Sequence, residues 1–271
     1  MMTEKIREAA AFVRSKGVEE VPTAIILGTG LGKLADHIRT IATIDYEEIP
    51  HFPVSTVESH SGKLIYGTLD DKPVLVMSGR FHFYEGYSMQ EVTFPVRVMK
   101  LLGVKNLLVS NAAGAINLEL KPSGLMIIDD HINMLPGNPL VGKNLDDFGP
   151  RFPDMSRPYD PLFIRMMEEI AEENGFEIAK GVYVAWIGPN LETRAEYRFL
   201  KVMGADVVGM STVPEVIVAV HQGMRVAAVS VITDTCDPDN LEPVSIDAIL
   251  GHAAKAEKNL ITLFRNLINR I

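Results

Sequence analysis

Ala24-Ile25-Ile26-Leu27-Gly28-Thr29-Gly30-Leu31-Gly32 is a short apolar run that stops abruptly in three glycines and one hydroxyl. The run is too short for a helix and is bounded by glycine, so it reads as a buried strand. Glycines at a strand end let backbone N–H groups converge on one point, and such a nest suits an anion. A tight strand-to-helix turn that holds nothing would use the same residues, and the stretch alone leaves both readings open. A dinucleotide loop requires G-x-G-x-x-G, but here the third glycine comes one place early, at Gly32, and Lys33 fills the expected position. The loop is a phosphate candidate and a poor dinucleotide candidate.

Outward from this loop, apolar runs alternate with helical periodicity. Residues 3–16 predict an amphipathic helix, with Thr3 as cap, Ile6, Ala9, Ala10 and Val13 on one face and Gly17 as stop. Residues 41–60 read as irregular, rich in Pro, His and Ser. Lys63 to Gly79 reads as a hairpin, with strands at Leu64–Gly67 and Val74–Met77 around a turn at Asp70–Pro73. Ser88 and Glu91 form a capping box for a helix running to about Leu102, with Pro95 as a candidate bend. A buried strand at 106–110 delivers Asn111-Ala112-Ala113-Gly114 to a loop, small residues that let a ligand ring, or a packed helix, approach the backbone.

Leu125 to Asp129 is another strand, and residues 133–158, with five prolines, read as a long functional or interface loop. A helix at Asp160–Asn174 and a strand at Tyr183–Trp186 lead to the loop Gly188-Pro189-Asn190-Leu191-Glu192-Thr193. Helix 193–203, a strand and loop over Asp206–Thr212, a helix opened by Pro214, a strand at Val226–Thr233 and a C-terminal helix from Ser245 complete the chain. This alternation predicts an α/β fold, a single domain over residues 1–271 with a central mixed β-sheet flanked by helices. In such folds ligands gather where carboxyl ends of strands meet loops, and every unusual loop above lies at such an end.

The 271 residues carry a formal net charge of −9, which argues against non-specific nucleic-acid binding. Cys236 is the single cysteine, so a reducing compartment is expected. No signal-peptide core opens the chain and no apolar segment reaches ~18 residues, so a soluble, cytoplasmic protein away from membranes is expected.

The chemistry concentrates in a few places. Gly79-Arg80-Phe81-His82-Phe83-Tyr84-Glu85-Gly86-Tyr87 follows a strand, and period-two spacing puts Arg80, His82 and Tyr84 on one side and Phe81 and Phe83 on the other. Zinc spacing, a Walker loop and a G-x-S-x-G elbow are absent. His60, His82, His131 and His221 are too scattered for a metal claim, and His221 reads as a core histidine. What remains is an anion site from Thr29, Arg80, His60, His82 and Ser211, a tyrosine, and two loop acids, Glu192 and Asp234. An anion beside a polar heterocycle suits a phosphate-dependent transfer, in which the protein positions reactants and stabilises charge.

Six ordered stretches carry a resemblance over nearly the whole length. They are Ile26–Gly32, Glu58-Ser59-His60-Ser61-Gly62, Gly79–Tyr87, Asn111–Gly114, Gly149–Ser156 and Gly209–Val216. With them the chain resembles the trimeric purine nucleoside phosphorylases. The resemblance implies a phosphorylase/hydrolase-like fold and phosphorolysis of purine nucleosides to free base and ribose 1-phosphate. It implies phosphate contacts at Thr29, His60, Arg80, Phe81, His82, Ser211 and the backbone of Ala112. Nucleoside contacts are implied at Tyr84, Ala113, Leu191, Glu192, Val208, Met210, Asp234 and Ile246. Phe152 would enter the neighbouring site of a homotrimer, and catalytic roles fall to His82, Glu192 and Asp234. No metal and no cofactor are expected, inorganic phosphate being a co-substrate.

Two positions depart from the family's usual pattern. Asp234 stands where the family usually has Asn, and an ionised Asp only accepts hydrogen bonds, so it suits a 6-amino group. Ile246 stands where the family has a histidine near the ribose 5′-hydroxyl, and an apolar group there suits a 5′-methylthio substituent. Both resemble the methylthioadenosine phosphorylases. Glu192 instead matches the acceptor for ring nitrogen 1 of a 6-oxopurine, so inosine and guanosine are the expected substrates, with 6-aminopurine nucleosides or 5′-methylthioadenosine the alternative. A non-catalytic nucleoside-binding homologue is the lesser alternative.

Overall fold

The computed structural model describes residues 2–54 and 61–271. In chain order the elements are α1 (Met2–Ser15), β1 (Thr23–Ile26), β2 (Arg39–Asp45), β3 (Lys63–Leu69), β4 (Lys72–Ser78), α2 (Met89–Val92) and α3 (Phe94–Leu101). Then follow β5 (Asn106–Ala115), β6 (Leu125–Asn133), α4 (Pro161–Glu173), β7 (Ala179–Ala185), α5 (Arg194–Val202), β8 (Val207–Gly209), α6 (Val213–His221), β9 (Arg225–Thr235) and α7 (Ile246–Arg270).

β1 shows why the sheet is buried on both faces. Its side chains alternate, Ala24 and Ile26 joining the core under α1, α3 and α6, and Ile25 and Leu27 joining the core under α4 and α7. One mixed sheet runs β2-β3-β4-β1-β5-β8-β7-β6-β9, as the alternating pattern predicts. β9 also pairs with β5, so β5, β8, β7, β6 and β9 close into a ring while β1 to β4 extend as an open wing.

β5 is where the two parts meet, and its pairing creates the cleft. Along one edge it pairs with β1 as far as Val109, and with β8 only from Gly114 onward. The edge between those points is left open, at the carboxyl end of β1. β4, β1, β5 and β9 are mutually parallel, so the loops that follow β4, β1 and β9 leave on the same side. This is the topological switch point at which α/β sheets take ligands.

Three local expectations are corrected. The small residues 111–114 are strand and not loop: β5 continues to Ala115 with a bulge between Ala113 and Gly114. At Gly114 the missing side chain leaves room for side chains at the end of β9, since a Cβ there would lie 2.5 Å from Cys236 Sγ and 3.0 Å from the Asp234 carboxylate. The stretch expected to be irregular from 41 begins inside β2, an edge strand whose side chains are mostly exposed and therefore lack an apolar alternation. The helix from Ser88 is two helices, interrupted at Thr93, because Pro95 has no N–H for the preceding turn. Ser88 and Glu91 make the predicted capping box and the Ser245 side chain accepts from the Ala248 N–H, as the caps predict. Among the described residues no helix is long and apolar enough to cross a membrane.

Candidate active site

Gly28 carries β1 flat onto β5: a Cβ there would stand 2.8 Å from the Asn111 Cα and the Ser110 carbonyl oxygen. Its N–H donates to Ser110 Oγ at 3.2 Å, and the Leu31 N–H returns to the Gly28 carbonyl at 3.2 Å. The turn leaves Thr29 half-buried at the mouth of a cavity of about 180 Å³.

Arg80, one glycine past the end of β4, lines the same cavity and is 2% exposed. Its Nη1 donates to Ser211 Oγ at 2.7 Å and to Thr212 Oγ1 at 3.2 Å. Glu215, on α6, lies 3.6 Å from its Nε, while Nε and Nη2 make no hydrogen bond among the described residues. A buried guanidinium with N–H groups to spare is an anion site, since buried donors left unmade are costly.

Ser211 opens a strained turn that its neighbours hold in place. Thr212 has φ 70° and ψ −55°, with the Val213 N–H donating to the Ser211 carbonyl at 2.7 Å. These values describe a three-residue γ-turn, rare and strained for a residue with a side chain. The neighbours fix it: Asn111 Nδ2 donates to Thr212 Oγ1 at 2.9 Å, and the Tyr183 hydroxyl accepts from the Ser211 N–H at 3.2 Å.

His82 also faces the cavity. Glu85 accepts from its backbone N–H at 2.7 Å and lies 2.9 Å from its Nδ1, which fixes the ring. Burial, with Arg80 nearby, pushes its pKa below the usual histidine value, although Glu85 opposes this, so the imidazole is neutral near pH 7. Tyr84 stacks on it with centroids 4.6 Å apart. Burial lifts the Tyr84 pKa to about 12, so its hydroxyl keeps its proton.

The same cavity is also lined by carboxylates. Glu192 is buried, and desolvation first, with Asp234 and Glu196 adding, raises its pKa. A Tyr197 hydrogen bond opposes the rise. Asp234 accepts from Thr233 Oγ1 at 2.8 Å and from Cys236 Sγ at 3.4 Å. Burial and Asp234 keep the Cys236 thiol protonated, which makes it a donor.

The fold thus brings Thr29, Arg80, His82, Ala112 and Ser211 together with Tyr84, Ala113, Leu191, Glu192, Val208, Met210 and Asp234 around one cavity. Three expected residues stand elsewhere. The Phe81 side chain is in the core against Tyr46 and Tyr87, as its place on the apolar side of the motif requires. Ile246 is 73% exposed at the first position of α7, and Ile249, one turn on, lines the cavity in its place. Phe152 is 87% exposed and lines a separate hollow with His131, Asn138 and Arg151. His60 lies outside the described residues. Sequence reasoning missed Asn111, Tyr197, Cys236 and Ile249. Asn111 adjoins Ala112, and Cys236 stands two places after Asp234, just past the end of β9 and still bonded through its N–H to the Ala115 carbonyl, so the period-two rule for extended chain was the available signal for the latter. Among the described residues no group of His, Cys, Asp and Glu could hold a metal ion.

Residues 22–269 match the phosphorylase superfamily. The chain is 51% identical over 267 residues to purine nucleoside phosphorylase 1 of Bacillus subtilis (strain 168), with 98% of each chain covered. Isoform 2 of purine nucleoside phosphorylase from Schistosoma mansoni, solved in complex with cytosine and ribose-1-phosphate, matches at TM-score 0.94 and 43% identity. The match covers 99% of this chain and 96% of that one. A Schistosoma mansoni purine nucleoside phosphorylase in complex with adenosine matches at TM-score 0.93 and 44% identity, covering 99% and 97%. With the cavity at the switch point of the sheet and its anion site built on Arg80, the chain belongs to the phosphorylase superfamily and, within it, to the purine nucleoside phosphorylases.

Proposed function

We infer that this cavity carries out phosphorolysis of purine nucleosides, with 6-oxopurines preferred, in a cytoplasmic homotrimer. The observation that carries the reading is one cavity lined by two unlike groups: a buried Arg80 with spare N–H groups, and a buried Glu192. Phosphate rests against Thr29, Arg80, Ser211 and the backbone of Ala112, with His82 as a neutral partner and His60 added by resemblance. Tyr84 and Met210 take the ribose. A phosphate oxygen forms the new bond to ribose C1′ as the C1′–N9 bond breaks, its electron pair leaving on the purine. The proton that hydrogenphosphate gives up ends on the free base. The sugar passes through an oxocarbenium-like state, and the adjacent phosphate dianion stabilises it because the pair meets away from bulk water. No cofactor is needed in this scheme, phosphate being the co-substrate.

Glu192 supports the 6-oxopurine preference, because an ionised carboxylate accepts the N1–H of hypoxanthine or guanine, whereas adenine offers an unprotonated nitrogen there. One observation favours a second substrate class. Asp234 receives two donors, Thr233 and Cys236, and so stands as an acceptor, which suits a 6-amino group. Phe152 supports the homotrimer, since a phenyl ring this exposed finds cover in a neighbouring subunit. Phosphate-dependent rates with inosine, guanosine, adenosine and 5′-methylthioadenosine test the reading. Faster turnover of the two 6-oxopurines supports it, and faster turnover of adenosine or 5′-methylthioadenosine reverses the preference.

A further inference from the structure

The glycine loop is followed by a short 3₁₀ helix, Gly32–His37, whose cap position is Leu31. Leucine has no side-chain acceptor, so the first N–H groups of that helix lack a local partner. The missing acceptor comes from the other end of the chain. Glu257 on α7 is 2% exposed, and its Oε1 accepts from the Lys33 N–H at 2.7 Å. Its other oxygen is 3.6 Å from Lys33 Nζ, a side chain that is itself mostly in solvent.

The rest of the same helix face closes on the loop. Leu250, Ala253 and Glu257 are spaced by three and four, which places them in one stripe along α7. A Cβ on Gly30 would be 3.1 Å from both the Ala253 Cβ and Leu250 Cδ2, and Gly30 has φ +71°. A side chain at Gly30 would have to push Leu250 or Ala253 aside and adopt a strained φ. Ile249, the residue next to Leu250 on the same turn of α7, lines the cavity.

We propose that Glu257 is a positioning residue for phosphate: its carboxylate caps the 3₁₀ helix through the Lys33 N–H and thereby fixes the Gly28–Gly32 loop and Thr29 against α7. The proposal rests on the phosphorolysis reading above. Glu257 touches no reactant. It works by holding the loop's backbone N–H groups in the conformation that receives the anion, where misplacement of a fraction of an ångström weakens binding. Because α7 also supplies Ile249, the phosphate loop and the nucleoside wall are braced by one helix.

The test is steady-state kinetics with phosphate and inosine varied separately. Glu257→Met keeps the side chain's length and packing but loses the acceptor, and should raise the KM for phosphate roughly three- to tenfold while the KM for inosine changes less than about twofold. Glu257→Gln keeps a carbonyl acceptor for the Lys33 N–H and should restore the phosphate KM to within about twofold of the parent. Lys33→Met removes only the exposed ammonium and should leave it unchanged. An unchanged phosphate KM in Glu257→Met overturns the proposal, as does an equal rise in Glu257→Gln. Should Glu257→Met not accumulate as folded protein, Glu257→Asp, one methylene shorter, takes its place; a raised phosphate KM is expected and an unchanged one overturns. Arg80→Ala separates the two levels. If it raises the phosphate KM while Glu257→Met does not, the phosphorolysis reading stands and this inference fails. Base release that ignores phosphate in the parent protein removes the reading itself.

Discussion

Arg80 and Glu215 lie side by side in the interior, Nε 3.6 Å from Oε1, and neither is satisfied by the other. Two guanidinium nitrogens and one carboxylate oxygen of the pair make no hydrogen bond among the described residues. A structural ion pair this deeply buried would be expected to saturate its partners, because desolvating both ions costs more than one contact returns. An arrangement that leaves Arg80 with donors to spare instead suits a guanidinium held in place by Glu215 and kept ready for an incoming anion. Arg80→Ala should therefore raise the phosphate KM on the order of 100-fold, the scale for losing hydrogen bonds to a charged group. Phosphate-dependent kinetics measure it, and an unchanged KM removes Arg80 from the anion site.

Glu192 predicts a pH-dependent choice of substrate. Burial and the nearby Asp234 place its pKa above the ordinary carboxylate value. Above that pKa the ionised group accepts the N1–H of inosine. As pH falls through it, the group gains a proton, loses that acceptor role and becomes a donor to adenine N1. The ratio of kcat/KM for adenosine to that for inosine should rise on acidification, and the ionisation of phosphate cancels because both substrates share it. A ratio that is flat, or that falls with acid, contradicts the assignment.

Asp234 makes the complementary case. Its oxygens accept from Thr233 and Cys236, so an amide there would place an N–H where only acceptors now stand. If Asp234 meets the base, Asp234→Asn should move the inosine-to-adenosine ratio toward inosine by about tenfold, the scale of one changed polar contact. Equal loss on both substrates would mark Asp234 as a scaffold residue that holds Thr233 and Cys236.

Much of this was legible from residue types. β1 and its glycine loop and the hairpin of β3 and β4 follow from period and turn chemistry alone. Arg80, His82 and Tyr84 do line the cavity and Phe81 does enter the core, but the segment is no strand, since β4 ends at Ser78 and Phe83–Glu85 is a 3₁₀ turn. Other features were beyond that reach. β2 hides because an edge strand with exposed side chains carries no alternation. Residues 111–114 read as loop because small residues serve close strand pairing and loops equally well. The exchange of Ile246 for Ile249 is a matter of helical phase at a capped end, where one turn decides which side chain faces inward. The tie between Lys33 and Glu257 spans 224 positions, and only the fold brings them together.

Phe152 carries the prediction about assembly. Its ring is 87% exposed, with Arg151 Cζ 5.7 Å from the ring centroid, on a loop without helix or strand. The homotrimer reading requires a mass in solution three times the chain's 29.9 kDa. Phe152→Ala should raise the KM for nucleoside more than that for phosphate, by about tenfold for the loss of one aromatic contact. Sedimentation and kinetics measure the two, and a monomeric mass or unaltered nucleoside KM contradicts the reading.

The central claim is that phosphate is the nucleophile. The most direct measurement is release of hypoxanthine from inosine by phosphate-free protein, followed by addition of inorganic phosphate. Release should be negligible before the addition, and afterwards one ribose 1-phosphate should form for each hypoxanthine. Release at the same rate without phosphate, with free ribose as the product, would contradict it.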